Sequence, residues 1–428
     1  MLFLAYLVLF LSFVNLLRMA LFLVGSDIYD IKKSLTEKKQ LSLPIHNRRY
    51  LPLVTVLVPA HNEELVLRRN LDSILNSTYR NIELIIINDS SVDRTYRIAR
   101  TFQQANKDRF KRIKLLNVGV RGKASALNAG LKYAKGSLFM CLDADSALTP
   151  NALRVAVEQF KDPSLGALSS NVKIFPDKGV LNFFQRIEYL VCYQMKKTET
   201  IADIQYIVGG IGSMFRTQIV RKLGWYDTNT ITEDIDLSMK ILNRYSGKYR
   251  IGYNPEVVTY TESVHDIKGL IRQRNRWKYG RYQAFLKHKE LFLSKNKNFN
   301  KLLSWVYLPY ALVSEILYFI EPLVIFLIAY LLISYGDLSI LAGSFLVFTF
   351  YTVMHVTGAT KGYTRNERLR LIAAAPVAYL GMYVLSIVEY GATIHGFKNL
   401  PRILTNHKSG KGASDWEHVA RKGNASVS

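Results

Sequence analysis

Residues 53–60 read LVTVLVPA, a short run of apolar and β-branched residues that predicts a buried β-strand. A helical pattern with leucine or isoleucine at 65, 67, 71, 74 and 75 follows it, and IELIIIND at 82–89 predicts a second strand. Another helical stretch runs from about Asp93 to Gln104. Two strand-helix units in succession are typical of a nucleotide-binding α/β domain.

Two more strands extend the pattern. RIKLLNV at 112–118 and SLFMCLDAD at 137–145 predict a third and a fourth strand, with a helix near 123–135 between them. We therefore expect an α/β domain around a mostly parallel sheet at residues 53–300. Ligands of such open sheets bind at the carboxyl ends of the strands, where this sequence has acidic residues.

An apolar run precedes this domain. Residues 2–24 are long enough to cross a bilayer as a helix, with Arg18 as their one charge. A cleaved signal peptide is the alternative, but the run is too long for one and lacks a basic leader. Because basic residues follow the run and none precedes it, the α/β domain is expected in the cytosol. This interpretation gives a transmembrane helix at 1–25 and a basic cytosolic linker at 26–52.

The chain becomes apolar again beyond residue 300. We expect a C-terminal transmembrane region at 301–395 and a basic tail at 396–428. The candidate crossings are the runs at 303–333, 339–357 and 371–394. Glu315 and Glu321 fall in the first run, where they either line a polar path or lie at the interface.

The distribution of basic residues conflicts with three crossings. Both the loop at 358–370 and the tail are rich in lysine and arginine, so both favour the cytosolic side. Either the last run is a re-entrant pair broken near Pro376 or Gly381, or the first run contains an additional turn.

The net charge of +24 has two interpretations. It suits a nucleic-acid-binding protein, or one that lies against anionic lipid and handles diphosphates. The apolar runs favour lipid and a nucleotide ligand over nucleic acid. Cys141 and Cys192 are both expected in the cytosol, where disulfides are rare, and neither is assigned a function.

Asp143 and Asp145 form a DAD sequence that ends the fourth strand. Two carboxylates at this spacing can reach a divalent cation that bridges a diphosphate, although acidic pairs also occur in ordinary loops. Asp89 ends the second strand and can bind a base or ribose, or cap a helix. Lys123 follows Gly122 in RGKASALNAG and faces either a phosphate or solvent.

The sequence TEDIDLSMK at 232–240 places Glu233 and Asp234 in a first helical turn, where carboxylates also suit the helix dipole. The sharper hypothesis makes Asp234 a general base that deprotonates an acceptor hydroxyl. QRNRW at 273–277 lies in a basic amphipathic segment. Its arginines suit a diphosphate and its tryptophan a sugar ring, whereas the plain alternative is an interfacial anchor.

Taken together, these motifs resemble the processive family 2 glycosyltransferases, which include cellulose, chitin, hyaluronan and poly-N-acetylglucosamine synthases. The resemblance covers roughly residues 50–300 and rests on motifs that occur in the family's order. They are VPAHNEE (58–64), IINDSSVD (86–93), DAD (143–145), GGIGSMFR (209–216), TED (232–234) and QRNRW (273–277).

The resemblance implies a cytosolic GT-A (Rossmann-like) glycosyltransferase domain inserted between transmembrane helices, a UDP-sugar donor, and Mg2+ or Mn2+ as cofactor. Asp234 would be the catalytic base, and Asp143 and Asp145 would bind the metal. Substrate-binding roles would fall to Pro59, Ala60, Glu63, Asp89, Lys123, Asp143, Gly210, Ser213, Glu233, Gln273, Arg276, Trp277 and Trp416.

Two positions depart from the family pattern. His61 stands where tyrosine is common, and Asn88 leaves Asp89 as the one carboxylate of its motif. The KASALNAG stretch and the single-chain layout are most similar to poly-β-1,6-N-acetylglucosamine synthases, which commonly have two amino-terminal spans. UDP-N-acetylglucosamine is the expected donor.

The expected function is processive sugar transfer to a growing glycan, coupled to translocation by a multi-pass protein of the plasma membrane. Membrane lipid and accessory membrane or export proteins are the other expected partners, and nucleic acid is not. One alternative is a transferase that adds a single sugar to a lipid acceptor. A non-catalytic nucleotide-binding scaffold is disfavoured, because four carboxylates of the motifs are all present.

Overall fold

The computed structural model describes residues 2–41, 50–119, 122–245, 247–319, 338–359 and 363–409. Between residues 319 and 338 it also describes 322, 326, 329–330, 332–334 and 336. Trp416 and Glu321 lie outside the described residues.

The described residues form one mixed eight-stranded sheet in the order β3-β2-β1-β4-β7-β6-β8-β5. Strands β3, β2, β1 and β4 are mutually parallel, whereas β7 runs antiparallel to both of its neighbours, β4 and β6. The strands are β1 Val54–Ala60, β2 Ile82–Asp89, β3 Arg112–Val118, β4 Leu138–Cys141, β5 Ala147–Leu148, β6 Leu165–Ile174, β7 Ser213–Arg216 and β8 Arg250–Thr261.

The α/β prediction is confirmed, but the sheet is mixed: the amino-terminal strands and the β6–β8 pair are parallel, whereas β7 and β5 run antiparallel to their neighbours. The predicted fourth strand is also too long. It leaves the sheet after Cys141, and the Asp143 carbonyl accepts a hydrogen bond from the Ser146 amide (2.9 Å), so the DAD residues lie in a turn. This turn follows the carboxyl end of β4.

Helices cover both faces of the sheet, which explains the continuous apolar run of β2. Ile85 and Ile87 pack in one core layer with α4, and Leu84 and Ile86 pack in the other with α2. The helices that border the sheet are α2 Leu67–Leu75, α3 Thr95–Ala105, α4 Lys123–Leu131, α5 Ala152–Gln159, α6 Val180–Ile201, α7 Thr217–Lys222, α8 Glu233–Tyr245 and α9 Ile267–Lys287.

The amino-terminal helix α1 spans Leu2–Leu41, so it continues through the first part of the expected linker. Residues 26–41 contain neither glycine nor proline, and nothing in them ends a helix. Two contacts fix α1 on α6. Asp30 pairs with Lys197 at 2.8 Å, and the Thr198 hydroxyl donates to the Phe22 carbonyl at 2.7 Å.

The C-terminal region is helical. Two of its helices, at 341–358 and 375–398, are long and apolar enough to cross a membrane, and Leu303–Leu317 is apolar but shorter. Its elements are a π-helix Leu303–Tyr307, α10 Leu308–Leu317, α11 Ser339–Gly358, α12 Arg365–Ala373, α13 Ala375–Lys398 and α14 Leu400–Ser409.

The predicted crossing at 371–394 is displaced. The chain forms α12, which begins with a capping box between Thr364 and Glu367, and α13 then begins at Ala375 with Pro376 in its first turn. A break near Pro376 is one of the two ways to reconcile the crossings with the basic residues of the 358–370 loop and the tail. Among the described residues, only two helices are long and apolar enough to cross a membrane, whereas the sequence suggests three C-terminal crossings.

We expect Gly25→Ala to loosen the contact of α1 with α6. A Cβ at residue 25 would lie 2.6 Å from the Thr198 hydroxyl oxygen and would also meet the methyl branch, so a rotation of Thr198 does not relieve the clash. Such overpacking costs about 1–3 kcal/mol, more than the gain in helix propensity of about 1 kcal/mol. The midpoint of thermal unfolding in detergent should fall.

Gly343→Ala is the matched control for this change. Gly343 lies in α11, and no atom is within 4 Å of the position that a Cβ would take there. The same substitution at this residue should therefore leave the midpoint unchanged or raise it. Equal effects at the two glycines would contradict the close packing of α1 on α6.

Candidate active site

A cavity of about 570 Å³ lies at the carboxyl ends of β1, β4 and β8. Helices α4, α6, α8 and α9 form its other walls, and Tyr307 and Glu389 extend it to the C-terminal helices. Most of the predicted site residues line this cavity: Pro59, Glu63, Lys123, Asp143, Asp145, Gly210, Glu233, Asp234, Gln273, Arg276 and Trp277.

Four carboxylates line one side of the cavity, here called the acidic wall, and Lys123 lies among them. They belong to Asp143, Asp145, Glu233 and Asp234. The Lys123 ammonium is 2.7 Å from Asp143 Oδ1 and 3.3 Å from Glu233 Oε1. Burial by itself lowers the pKa of Lys123, but the carboxylates of Asp143 and Glu233 outweigh it and raise that pKa well above its ordinary value. Lys123 is therefore a permanent cation, and the solvent-exposed alternative is excluded.

The chain conformation before Lys123 depends on two residues. Gly122 has φ 134°, a value that L side chains rarely adopt, and α4 begins at the next residue. The Gly122 amide donates to Asp89 Oδ2 at 2.9 Å. Asp89 thus fixes the start of α4 from the end of β2.

Hydrogen bonds from Asn70 and Ser146 hold the DAD turn in place. The Asn70 side-chain amide donates to the carbonyls of Asp143 and Ser146, at 2.8 Å each. Asp145 Oδ1 accepts from the Ser146 hydroxyl at 2.8 Å. Both aspartates line the cavity from a turn that cannot shift without breaking these bonds.

This acidic wall fits a divalent cation. Burial raises the pKa of Asp143, and the nearby Asp145 carboxylate adds to this, while Lys123 opposes it. The described residues contain no group of three or more histidine, cysteine, aspartate or glutamate side chains placed to hold an ion. The two carboxylates of Asp143 and Asp145 suit a cation that takes its other ligands from a diphosphate and water, as Mg2+ commonly does.

Asp234 lies in the first turn of α8 and faces the glycine-rich segment. Its Oδ2 accepts from the Gly210 amide at 2.7 Å, and its Oδ1 accepts from the Ile235 amide at 2.9 Å. A Cβ at residue 210 would lie 3.0 Å from the Lys123 ammonium nitrogen. Glycine at this position therefore lets the backbone approach both the carboxylate and the lysine.

Two loops interlock at the amino-terminal end of the site. The Asn62 amide donates to Ser91 Oγ at 3.0 Å, and the Val92 amide donates to Asn62 Oδ1 at 2.9 Å. Asn62 and Ser90 both adopt a left-handed conformation with φ 55°. The HNEE and DSSVD motifs are thus parts of one structure.

Three predicted binding residues do not line the cavity. Ala60 is buried in β1, Asp89 is buried behind Gly122, and Ser213 is buried in β7 with its hydroxyl donating to the Gly209 carbonyl. The Asp89 and Ser213 side chains instead form hydrogen bonds with neighbouring backbone groups, the Gly122 amide and the Gly209 carbonyl. Ala60 packs in the core. Trp416 cannot be assigned, since it lies outside the described residues.

The QRNRW motif lies on α9. Gln273, Arg276 and Trp277 line the cavity, and Arg276 is exposed. Arg274 also lines the cavity but differs from Arg276 in its surroundings. It is buried and pairs with Glu188 of α6 at 2.7 Å and with Glu389 of α13 at 2.9 Å.

One face of α6 also lines the cavity, and none of the sequence motifs indicates it. The aromatic and charged residues of this face recur at helical spacing within 180–201, which is the signal that could have indicated it. They are Glu188, Tyr189, Cys192, Tyr193, Lys196 and Glu199. Cys192 is a free and exposed thiol in this wall.

Comparison with known proteins assigns the domain. Residues 55–224 match glycosyl transferase family 2. These residues form a family 2 glycosyltransferase domain. The likeness of the sequence motifs to this family is thereby confirmed.

The family 2 domain has similar relatives in staphylococci. The chain is 31% identical over 280 residues to a poly-β-1,6-N-acetyl-D-glucosamine synthase of Staphylococcus epidermidis and covers 66% of its length. It is 32% identical over 286 residues to the protein of the same name from Staphylococcus aureus strain COL, also covering 66%. Each alignment takes in 65% of this chain. The chain therefore spans just under two thirds of these relatives.

A solved structure shares the fold. A mannosyltransferase from Pyrobaculum calidifontis, in complex with GDP-Man and Mn2+, superposes with a TM-score of 0.54 at 22% identity. The match covers 89% of this chain and 98% of that one. The Rossmann-type GT-A fold expected for the domain is therefore confirmed.

We expect Lys123→Met to destabilise the protein, because Asp143 and Glu233 lose the cation between them. Unpaired buried charges cost about 1–3 kcal/mol or more. The pKa of Asp143 is already raised and should rise further, so the folded state binds a proton more readily than the unfolded state. The loss of stability should then be largest at neutral pH and shrink towards acid pH, as Asp143 takes up a proton.

Lys132→Met provides the control, because Lys132 is an exposed residue at the end of the same helix. Thermal unfolding of both variants across this pH range measures the effect. A Lys123→Met penalty that does not change with pH would argue against the Lys123–Asp143 pair.

Proposed function

We propose that the protein is a metal-dependent family 2 synthase of the membrane that transfers N-acetylglucosamine from UDP-N-acetylglucosamine to a growing polysaccharide. The observation that carries this proposal is the continuous cavity that joins the acidic wall of Lys123, Asp143 and Asp234 to the QRNRW helix and the C-terminal helices. The names of the staphylococcal relatives support the choice of sugar and of product.

The donor would bind along the carboxyl ends of β1 and β4. Pro59 and Glu63 line the cavity on the side where the base and ribose would bind, and Asp143 and Asp145 line it where they would hold a diphosphate-bound cation. Mg2+ or Mn2+ would supply neutralisation of the charge that develops on the leaving diphosphate. Arg276 is exposed in the cavity and can contact the same phosphates.

Asp234 would act as the catalytic base. An inverting displacement needs one carboxylate that takes the proton from the acceptor hydroxyl as that oxygen attacks the anomeric carbon. The Gly210 amide orients Oδ2, and the Lys123 ammonium lies beside the same glycine. The proton passes to Asp234, and the leaving group departs as UDP.

The acceptor would enter from the side of α9 and the C-terminal helices. Trp277 offers a flat surface for a sugar ring, and Tyr307 and Glu389 continue the wall beyond it. A cavity that runs from donor site to apolar helices suits a polymer that leaves through the membrane. Accessory membrane or export proteins would act at that exit.

Exposed apolar side chains support the membrane location. In α1, Phe10 and Phe13 are more than half exposed, and Leu346 of α11 and Leu380 of α13 are exposed to the same degree. Apolar helix surfaces of this kind are stable in lipid rather than in water. The plasma membrane, with the catalytic domain in the cytosol, is the location that the flanking basic residues favour.

A second candidate function is addition of one sugar to a lipid-linked acceptor. The contact of the cavity with the C-terminal helices favours it as well, because a lipid acceptor would approach from there. Purified protein in lipid, supplied with Mg2+ or Mn2+ and separate UDP-sugars, distinguishes the two. We expect UDP release with UDP-N-acetylglucosamine and a ladder of oligosaccharides, whereas a single-sugar lipid product would refute polymerisation.

We expect Asp234→Asn to abolish transfer while UDP binding stays near the wild-type level. Loss of a general base typically lowers the rate about 10²–10⁴-fold, and the amide keeps the shape and the hydrogen bond from Gly210. UDP release and calorimetric UDP binding measure the two effects. Asp72→Asn, at an exposed aspartate that pairs with Arg68, is the control. Near-normal turnover of Asp234→Asn would reject this base.

A further inference from the structure

The QRNRW helix carries a line of three cations, of which Arg274 and Lys278 are buried and Arg281 is partly buried. Arg274, Lys278 and Arg281 lie at i, i+4 and i+7 of α9 and so share one face of that helix. Their carboxylate partners come from three other helices. Glu188 belongs to α6, Glu315 to α10 and Glu389 to α13.

This charge ladder, defined as those three cations and three carboxylates, ties α9 to its neighbours. Lys278 pairs with Glu315 at 2.5 Å and with Glu389 at 3.3 Å, and Arg281 pairs with Glu315 at 2.7 Å. Glu315 is therefore engaged with α9 and does not stand alone in an apolar helix. Breaking a buried pair on one side is costly, so the ladder resists movement of α9 relative to α13.

Arg274 is the member of the ladder that reaches Trp277. Its two terminal nitrogens are held by carboxylates from different helices, Glu188 at 2.7 Å and Glu389 at 2.9 Å. The guanidinium carbon lies 4.7 Å from the centre of the Trp277 ring. A guanidinium fixed at both ends cannot rotate, and its plane covers part of the indole.

We propose that Arg274 is a positioning residue that fixes the Trp277 ring for the acceptor sugar, and that Glu389 links this position to the C-terminal helix α13. This proposal rests on the proposed function, since Trp277 is the surface assigned to the acceptor. Arg274 acts through the indole. It donates its bonds to protein carboxylates, which leaves contact with the diphosphate to Arg276.

A defined consequence follows for the kinetics. We call the fixed Arg274 guanidinium and its contact with Trp277 the clamp. Loss of the clamp frees the indole and weakens acceptor binding, but it leaves the residues of the acidic wall and Lys123 in place. The KM for the acceptor should therefore rise, while the KM for the donor and kcat at saturating acceptor stay near their wild-type values. A residue needed only for folding would lower all activities together.

Arg274→Lys and Glu389→Gln test the proposal in the full-length protein in lipid nanodiscs. Lysine keeps the charge but loses the planar face and one of the two fixed bonds. With UDP-N-acetylglucosamine as donor and a β-1,6-linked N-acetylglucosamine trisaccharide as primer, we expect Arg274→Lys to raise the KM for the primer about tenfold. Glu389→Gln should raise it less, because glutamine still accepts from Arg274.

Arg272→Lys is the matched control. Arg272 is an exposed residue of α9, two positions away, and it does not line the cavity. Its substitution should leave both KM values and kcat unchanged. Unchanged primer KM in Arg274→Lys, or a parallel loss of kcat and of both substrates' binding, would overturn the positioning role.

A fluorescence measurement separates this inference from the proposed function. The chain has four tryptophans, and changing Trp225, Trp305 and Trp416 to phenylalanine leaves Trp277 as the only one. Arg274→Lys in this background should increase quenching of the Trp277 emission by acrylamide about twofold, because part of the indole is uncovered. Equal quenching with and without the substitution would overturn the clamp, even if no donor in the panel were turned over. Failure of every donor with increased quenching would instead refute the proposed function alone.

Discussion

The ion pair between Lys123 and Asp143 is the contact on which the site depends. It joins the start of α4 to the turn after β4, and the same ammonium reaches Glu233 at the start of α8. Three elements from separate parts of the chain therefore converge on one charge. Without this cation, the carboxylates of Asp143 and Glu233 would repel each other. Helix α8 would then lose the ion pair that links its start to α4.

The C-terminal helices are part of the site as well as part of the apolar region. Glu389 lies on a helix long and apolar enough to span a bilayer, yet its carboxylate lines the cavity and pairs with α9. A carboxylate is costly in lipid unless it is paired inside the protein. The charges on α9 thus select where α13 can pack, and the position of α13 in turn defines one wall of the cavity.

The sequence was sufficient for the features that depend on local patterns. The strands at 82–89 and 112–118 match the structure residue for residue, because each is an apolar run between clear turn signals. Lys123 and Asp143 come together as expected, since they follow the parallel strands β3 and β4, whose carboxyl ends share an edge. Asp234 joins them from the first turn of α8. The antiparallel β7 could not be foreseen, because its direction is decided by pairing with β4 and β6, which are distant in the chain. The same is true of Arg274, whose partners lie 86 and 115 residues away in the chain. The extension of α1 to Leu41, in contrast, agrees with the local sequence, since residues 26–41 contain neither glycine nor proline.

The interlocked loops with Asn62 and Ser90 have a thermodynamic consequence for ligand affinity. A left-handed conformation costs an ordinary residue such as Ser90 about 1–2 kcal/mol, whereas asparagine adopts it more readily, so the cost falls mainly on Ser90 when the chain folds. The hydrogen bonds between Asn62, Ser91 and Val92 hold both residues in that conformation before any ligand arrives. A nucleotide that binds against these loops finds them already ordered, so little conformational entropy is lost at the moment of binding. Repeated turnover then requires no refolding of this wall between one donor molecule and the next.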